Sequence, residues 1–436
     1  GGIMITASHN PKEYNGYKAY WDDGAQMIAP HDRNTIAEVN QIRNAGEIKF
    51  KGNKSLIEVI GKEMDQRYIN DLTTISLSPE SIARHKDMKI VYTPIHGTGV
   101  EIVPAALKAF GFTNIIHVPE QDIISGDFPT VISPNPEEPA ALAMAVQRAK
   151  DTDAELVLAT DPDADRVGAA VKNNEGEWVL LNGNQTALMF VYYLITRWKE
   201  LGKIKGNEYI VKTIVSTELI RTIAERNGVE LYDVYTGFKW IAAIMKDNEG
   251  KKTFIGGGEE SYGFLCEDFV RDKDAVSACT MLAETAAWAK DKGLTLYQLL
   301  QNIYVEYGFS KEAGISVVKK GKSGAEEIEA MMKHFRENPL TQIAGSNVTY
   351  VYDYATLKGL SVAENEKITL DMPTTSNVIQ YFTEDNTKVS IRPSGTEPKI
   401  KFYCEVHSKV KNLEELPAAE LAAQEKINQI KISLGI

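Results

Sequence analysis

Short unbroken apolar runs alternate with longer stretches of helical periodicity along most of the chain. Lys89-Ile90-Val91-Tyr92-Thr93, Asn114–Val118 and Glu155–Thr160 are runs of strand length, spaced by helical patterns around Val103–Phe110 and from about Glu138 to Lys150. Apolar strands separated by helices predict a parallel sheet covered on both faces. A second such unit starts with a helix near Asn184–Glu200. Strands at Tyr209–Ile214, Glu230–Val234 and Thr253–Gly256 follow, with helices from about Glu218 and Ala275. Beyond a helix at about Ala325–Glu337 the pattern changes. Short alternating segments at Val348–Tyr352, Val378–Phe382, Val389–Ile391 and Lys399–Glu405 precede a last helix near Leu413–Ile432, which predicts an antiparallel sheet with helices on one face. The start reads as a buried strand, Ile3–Thr6, then a Gly/Asn-rich loop, a strand near Lys18–Trp21, and helices.

The predicted fold class is α/β. Consecutive α/β domains with mixed or parallel sheets are followed by an α+β C-terminal domain with an antiparallel sheet. The expected domains are residues 1–75, 76–182, 183–308 and 309–436. A chain of 436 residues is long enough for several cores. With 43% apolar and 25% charged residues, it is not a disordered or collagen-like sequence. Lys+Arg 48 against Asp+Glu 60 gives a net charge of −12, which argues against general nucleic-acid binding. Cys266, Cys279 and Cys404 lie far apart, so neither a zinc ribbon nor a disulfide framework is expected. The longest apolar run, Ala187–Ile195, is too short to span a membrane. The expectation is a cytoplasmic protein with no membrane partner.

Four loops carry candidate chemistry. Asp161, Asp163 and Asp165 alternate at the end of the apolar run Glu155–Thr160, where three carboxylates can converge on one hard cation. The EF-hand pattern fails, because its Gly position is Arg166 and its closing Glu position is Lys172. A solvated acidic turn would leave three close carboxylates repelling one another without a counter-ion, so a metal site is expected, with Mg²⁺ favoured if a phosphate is nearby. An apolar strand ending in Asp-x-Asp also opens phosphatases of the haloacid-dehalogenase type, with the first Asp as nucleophile. That pattern wants Thr or Val where this chain has Asp165.

Thr6-Ala7-Ser8-His9-Asn10-Pro11 places a hydroxyl nucleophile just after a strand. In extended geometry the neighbouring side chains of Ser8 and His9 point apart, so His9 is expected to be poorly placed to deprotonate Ser8. Lys18, returned toward that loop by Asn15-Gly16, suits a phosphate, and suits proton transfer if its pKa is lowered. Gly256–Gly263 offers Glu259 and Ser261 to vicinal hydroxyls. Arg392-Pro393-Ser394-Gly395-Thr396-Glu397-Pro398-Lys399 has the makings of an anion cradle. His96-Gly97-Thr98-Gly99 looks partly like a dinucleotide-binding turn, but Ile102 stands at the third glycine position.

Taken together and in this order, Thr6–Pro11, Asp161–Arg166, Gly258–Ser261 and Arg392–Lys399 resemble the α-D-phosphohexomutase family, and the resemblance covers essentially the whole chain. It implies that Ser8 carries a phosphoryl group and that Asp161, Asp163 and Asp165 bind Mg²⁺ with the serine phosphate. It implies acid/base roles for His9 and Lys18, and a place at the reaction centre for Arg166. Thr236, Gly237 and Lys239 look like the family's sugar-orienting loop, with Glu259 and Ser261 on sugar hydroxyls. Arg392, Ser394, Gly395, Thr396 and Lys399 would hold the phosphate that does not react. The implied reaction interconverts hexose 1-phosphate and 6-phosphate through a bisphosphate, with glucose 1,6-bisphosphate as activator and the last domain closing over the substrate. Gly258-Glu259-Glu260-Ser261 is similar to the glucose-preferring branch, with mannose and pentose phosphates behind. Family members carry most of a first α/β domain ahead of the serine, whereas here the serine is Ser8. The expectation is a truncated, impaired chain lacking an arginine near the reaction centre. A Mg²⁺-dependent phosphatase using Asp161, and a non-catalytic sugar-phosphate-binding fragment, are the alternatives.

Overall fold

A computed structural model describes residues 1–319, 321–394 and 399–436. The chain packs into two compact units, Gly1–Thr213 with Ile223–Leu299, and Ile214–Thr222 with Leu300–Ile436.

In the first unit, β1 (Gly2–Ile5) and β2 (Tyr17–Tyr20) pair antiparallel as a two-stranded sheet. The strand at the start is exposed along its whole length, not buried as expected. Its apolar residues Ile3, Met4 and Ile5 set an extended backbone but stay exposed. Helix α1 (His31–Val39) also buries none of its residues. Helices α2 (Lys62–Thr73) and α3 (Pro79–Arg84) lead into the next sheet.

That sheet contains β3 (Ile90–Thr93), β4 (Ile115–His117), β5 (Leu156–Thr160), β6 (Val167–Lys172) and β7 (Trp178–Leu181), in the order β4-β3-β5-β6-β7. Helices α4 (Gly99–Phe110) and α5 (Pro139–Thr152) connect the first three strands, which run parallel. The last two are antiparallel hairpin strands, so the sheet is mixed and not purely parallel. Proline at the first position of α5 presets the helical φ. Its small residues Ala145 and Ala149 then pack on Val91 and Val157 of the sheet. Each fully buried Val or Leu here contributes roughly 1.5–3 kcal/mol.

A third sheet, β11-β10-β8-β9, follows α6 (Gly183–Glu200), which starts with an Asn182/Gln185 capping box. It comprises β8 (Glu208–Thr213), α7 (Leu219–Arg226), β9 (Glu230–Val234), α8 (Phe238–Asn248), β10 (Thr253–Gly258) and β11 (Phe264–Cys266). Strands β8, β9 and β10 are parallel, and β11 returns antiparallel. Phe238, Ile241 and Met245 of α8 close its core over Tyr209 and Phe254. Helix α9 (Ala275–Asp291) is buried on every side from Ala275 to Ala289. It packs on α3, α4 and α6 and on strands of both sheets, which explains a helix with no polar face. Its Thr280 and Thr285 hydroxyls bond back to carbonyls one turn earlier.

In the second unit, the greater part of α10 (Leu296–Tyr307) leads into β12 (Phe309–Val318) and α11 (Gly321–Glu337). Then come β13 (Gln342–Ile343), β14 (Ser346–Asp353), β15 (Lys358–Ser361), β16 (Glu366–Thr369), β17 (Ile379–Thr383), β18 (Lys388–Pro393), β19 (Lys399–Ser408) and α12 (Leu416–Leu434). The sheet order β12-β19-β18-β17-β14-β15-β16 is antiparallel throughout, with β13 paired to β14. Ile214–Thr222 belongs to this unit because a buried ion pair anchors it. Lys388 Nζ donates to the Ser216 carbonyl at 2.6 Å and lies 2.8 Å from Glu218 and 3.0 Å from Glu405.

Candidate active site

Three parts of the first unit converge on the C-terminal end of β5. The acidic loop turns sharply after Thr160, with Ala164 at a positive φ of 55°. Asp161 is fully buried, and one of its carboxylate oxygens accepts the backbone N–H groups of Asp165 and Arg166, both at 3.0 Å. Its other oxygen accepts the Ser8 hydroxyl at 3.1 Å. Ser8 itself has a φ of 54°, and its N–H bonds to the Thr6 hydroxyl at 2.8 Å. This left-handed turn overturns the expectation for His9. Alternation of side chains holds for extended backbone, whereas here His9 Nδ1 comes within 3.2 Å of Ser8 Oγ.

Lys18, on β2, reaches the same loop and pairs with Asp163 at 2.8 Å and Asp165 at 2.6 Å. Burial works against its charge, but Asp165 and Asp163 prevail and raise its pKa, opposite to the lowered value that proton transfer from the amine requires. A lysine absent from the sequence reading completes the arrangement. Lys273, from the loop after β11, pairs with Asp165 at 2.8 Å, and its pKa is also raised, chiefly by Asp165 against the cost of burial. It sits in the charged stretch Arg271-Asp272-Lys273-Asp274, which resembles a solvated turn, so only the fold brings it to the site. Burial pushes Asp165 up, yet Lys273 and Lys18 bring it down to about 2. Asp161 moves the other way, well above the usual carboxylate range, through burial and the charges of Asp165 and Asp163.

The donors fit a hard divalent cation. Ligand oxygens of Asp161, Asp163 and Asp165 lie within 4.8 Å of one another. Asp163 Oδ1 and Asp165 Oδ1 are buried without a hydrogen-bond partner, and such orphaned acceptors are what an oxygen-seeking ion satisfies. Beside them a cavity of about 450 Å³, lined by Thr6, Ser8, Asn10, Lys12, Thr98 and Asp163, has the size of a small-molecule pocket.

The His96–Gly99 turn buttresses this loop, and the dinucleotide reading of it fails. Thr98 donates from both its N–H and its hydroxyl to the Pro162 carbonyl, each at 2.9 Å. A Cβ on Gly97 would stand 2.4 Å from Pro162 Cα and 2.8 Å from its carbonyl oxygen. Gly97→Ala must therefore displace the acidic loop, and we expect it to weaken Mg²⁺ or Mn²⁺ binding about 10–100-fold. Calorimetric titration checks this, and unchanged affinity would refute it.

The hydroxyl-binding candidates lie at the ends of β9 and β10. Glu259 is buried and accepts the Gly237 N–H at 2.7 Å, which ties the Thr236–Lys239 segment to the Glu259–Ser261 loop. Ser261 is half-buried in that loop. Lys239 lies over the Trp240 ring at 5.3 Å. In the second unit, Arg392 and Ser394 on one side and Lys399 on the other flank the β18–β19 connection, where the Ser394 N–H donates to the Lys399 carbonyl at 2.8 Å. Gly395 and Thr396 lie outside the described residues.

Residues 1–46, 66–176, 182–307 and 347–423 match, in order, the phosphoglucomutase/phosphomannomutase alpha/beta/alpha domains I, II and III and the C-terminal domain. Phosphoglucomutase from Staphylococcus haemolyticus is 36% identical over 420 residues, covering 95% of this chain and 74% of its own length. This chain belongs to the phosphoglucomutase/phosphomannomutase family. It is accordingly an intramolecular phosphotransferase of the isomerase class. Among solved structures, a phosphoglucomutase/phosphomannomutase family protein from Burkholderia thailandensis has a TM-score of 0.66 at 17% identity, covering 99% of this chain and 76% of its own. N-acetylphosphoglucosamine mutase from Aspergillus fumigatus, in complex with GlcNAc-6P and magnesium, has 0.54 at 14% identity, covering 99% and 89%. Both share the phosphohexomutase fold. No helix among the described residues is long and apolar enough to cross a membrane.

Proposed function

We propose that this chain interconverts hexose 1-phosphate and hexose 6-phosphate, glucose first, through a phosphoserine at Ser8 and a bisphosphate intermediate. The observation that carries this reading is the 3.1 Å contact between Ser8 Oγ and Asp161 in the carboxylate cluster. Phosphoryl transfer asks for positioning and charge stabilisation more than for covalent chemistry, and the site is built of those. Ser8 lines the cavity, and His9 Nδ1, 3.2 Å from Ser8 Oγ, and Asp161, which accepts the Ser8 hydroxyl, are the groups assigned to handle its proton. Asp161, Asp163 and Asp165, with an oxygen of phosphorylated Ser8, would hold Mg²⁺. When bound, that ion neutralises charge on the moving phosphoryl group. Lys18 and Arg166 serve as fixed cations at the reaction centre. Glu259 and Ser261 take the sugar hydroxyls, with Thr236, Gly237 and Lys239 orienting the ring. Arg392, Ser394, Gly395, Thr396 and Lys399 hold the unreactive phosphate. Glucose 1,6-bisphosphate is the activator that loads Ser8. All three cysteines are free and buried, which agrees with a reducing, cytoplasmic setting.

The phosphatase reading, with Asp161 as nucleophile, fares worse. Both Asp161 oxygens already accept hydrogen bonds, and the side chain is fully buried. Intact mass of this 436-residue chain, before and after incubation with glucose 1,6-bisphosphate and Mg²⁺, tests the proposal. A gain of one phosphoryl mass that disappears in Ser8→Ala is the expected result. A gain that survives the substitution would overturn the assignment of Ser8.

A further inference from the structure

Resting on the phosphoryl-transfer reading above, we infer that Glu137 is a positioning residue that holds the Arg166 guanidinium in place beside the acidic loop. Glu137 belongs to Ser133-Pro134-Asn135-Pro136-Glu137, between β4 and α5, a segment with no role in the site so far. Its Oε1 accepts from Arg166 Nη1 at 2.8 Å. On the other side, Arg166 feels the buried charges of Asp161 and Asp165. Arg166 Nε is buried without a hydrogen-bond partner, and the Glu137 carboxylate is the side-chain acceptor found for this guanidinium among the described residues. Take Glu137 away, and the charges of Asp161 and Asp165 remain to draw the guanidinium toward the carboxylate cluster.

Local hydrogen bonds and close packing hold the segment. Asn135 Oδ1 accepts the Glu137 N–H at 3.1 Å, and Pro139 starts α5 two residues later. Pro136 lies so close to β6 that a Cβ on Gly168 would stand 2.9 Å from its carbonyl oxygen. The same segment also grips the serine loop, where the Ser133 hydroxyl donates to the His9 carbonyl at 3.2 Å. One short stretch of chain thus sets Arg166 and the serine loop relative to each other, and displacing a reacting group by about 1 Å can cost on the order of 100-fold in rate.

The test compares Glu137→Ala with Glu137→Gln, which keeps the acceptor oxygen. In glucose 1-phosphate turnover, we expect Glu137→Ala to lower kcat roughly 10–100-fold with KM changed less than about threefold, and Glu137→Gln to recover most of it. In the metal-free full chain, the Arg166 Nε–H resonance, assigned by its loss in Arg166→Lys, should be rigid and slow to exchange. It should become mobile in Glu137→Ala and not in Glu137→Gln. An Arg166 signal in Glu137→Ala as rigid as in the unsubstituted chain, or an unchanged kcat, would overturn the inference. Should Glu137→Ala not fold, Glu137→Asp, one methylene short of the 2.8 Å contact, gives the same readouts. If the unsubstituted chain takes no phosphoryl group on Ser8, the mutase reading fails, while the resonance still decides the role of Glu137.

Discussion

Ser8→Ala is expected to abolish conversion of glucose 1-phosphate to glucose 6-phosphate, lowering kcat/KM by roughly 10⁴-fold or more, because the Ser8 hydroxyl is the one in direct contact with the carboxylate cluster among the described residues. The fold should be undisturbed. Ser8 is only partly buried, and the turn is held by the Thr6 hydroxyl on its N–H and by the Asn10 amide on the Ala7 carbonyl. Asp161→Asn should be comparably damaging for a different reason. An amide in place of the carboxylate turns a donor toward the Ser8 hydroxyl or toward the N–H groups of Asp165 and Arg166. The pair therefore separates the two chemistries. A mutase loses activity with either substitution, whereas a phosphatase using Asp161 survives Ser8→Ala. Assaying isomerisation and phosphate release side by side reads both, and a Ser8→Ala protein that still isomerises would sink the mechanism.

The largest expected loss of stability lies far from this chemistry along the fold. Glu284, fully buried on α9, accepts the N–H groups of Leu77 and Ser78 at 2.7 and 3.0 Å, the Tyr193 hydroxyl at 2.6 Å and the Ser76 hydroxyl. Four donors from two other segments end on one carboxylate. Glu284→Ala leaves them without an acceptor in a site closed to water, at about 1–3 kcal/mol for each donor that stays unsatisfied. Some will find water in the space left by the side chain, so the expected destabilisation is about 3–5 kcal/mol. Denaturant unfolding measures it, and a loss under about 1 kcal/mol would refute the keystone role. Protein that remains folded should keep its kcat, since none of these groups touches Ser8 or the acidic loop.

The parts of the fold that could be read in advance are those in which one residue pattern has one physical solution. Ile90–Thr93 and Leu156–Thr160 are buried along their whole length, and unbroken apolar runs of that size in an α/β chain have little else to become. Strand direction is another matter. Val167–Lys172 is as apolar as its neighbours yet runs antiparallel, because a short connection allows only a hairpin and the period of side chains carries no sense of direction. The acidic loop and Ser8 were legible because carboxylates that close, or a hydroxyl between small residues after a strand, are costly or idle without a task. Lys273 and Glu137 were not. Each is a common charged residue in a polar stretch, and only tertiary packing distinguishes it from a solvated one. His9 failed for a local reason, since one left-handed residue at Ser8 reverses the geometry on which the argument stood.

Helix α9 removes the modularity that the repeated α/β pattern advertises. The sequence reads as successive segments that could be excised, exchanged or inherited one at a time. Yet the helix that supports the second sheet is supplied by residues Ala275–Asp291, after the third sheet is complete. The Ala275 N–H at its start also bonds to the Ala164 carbonyl within the acidic loop, at 3.0 Å. Synthesis has therefore to run past Asp291, well over a hundred residues beyond the acidic loop, before that loop acquires its final support. Gene fusions or recombination events that part these two sheets would strand one of them with a bare apolar side.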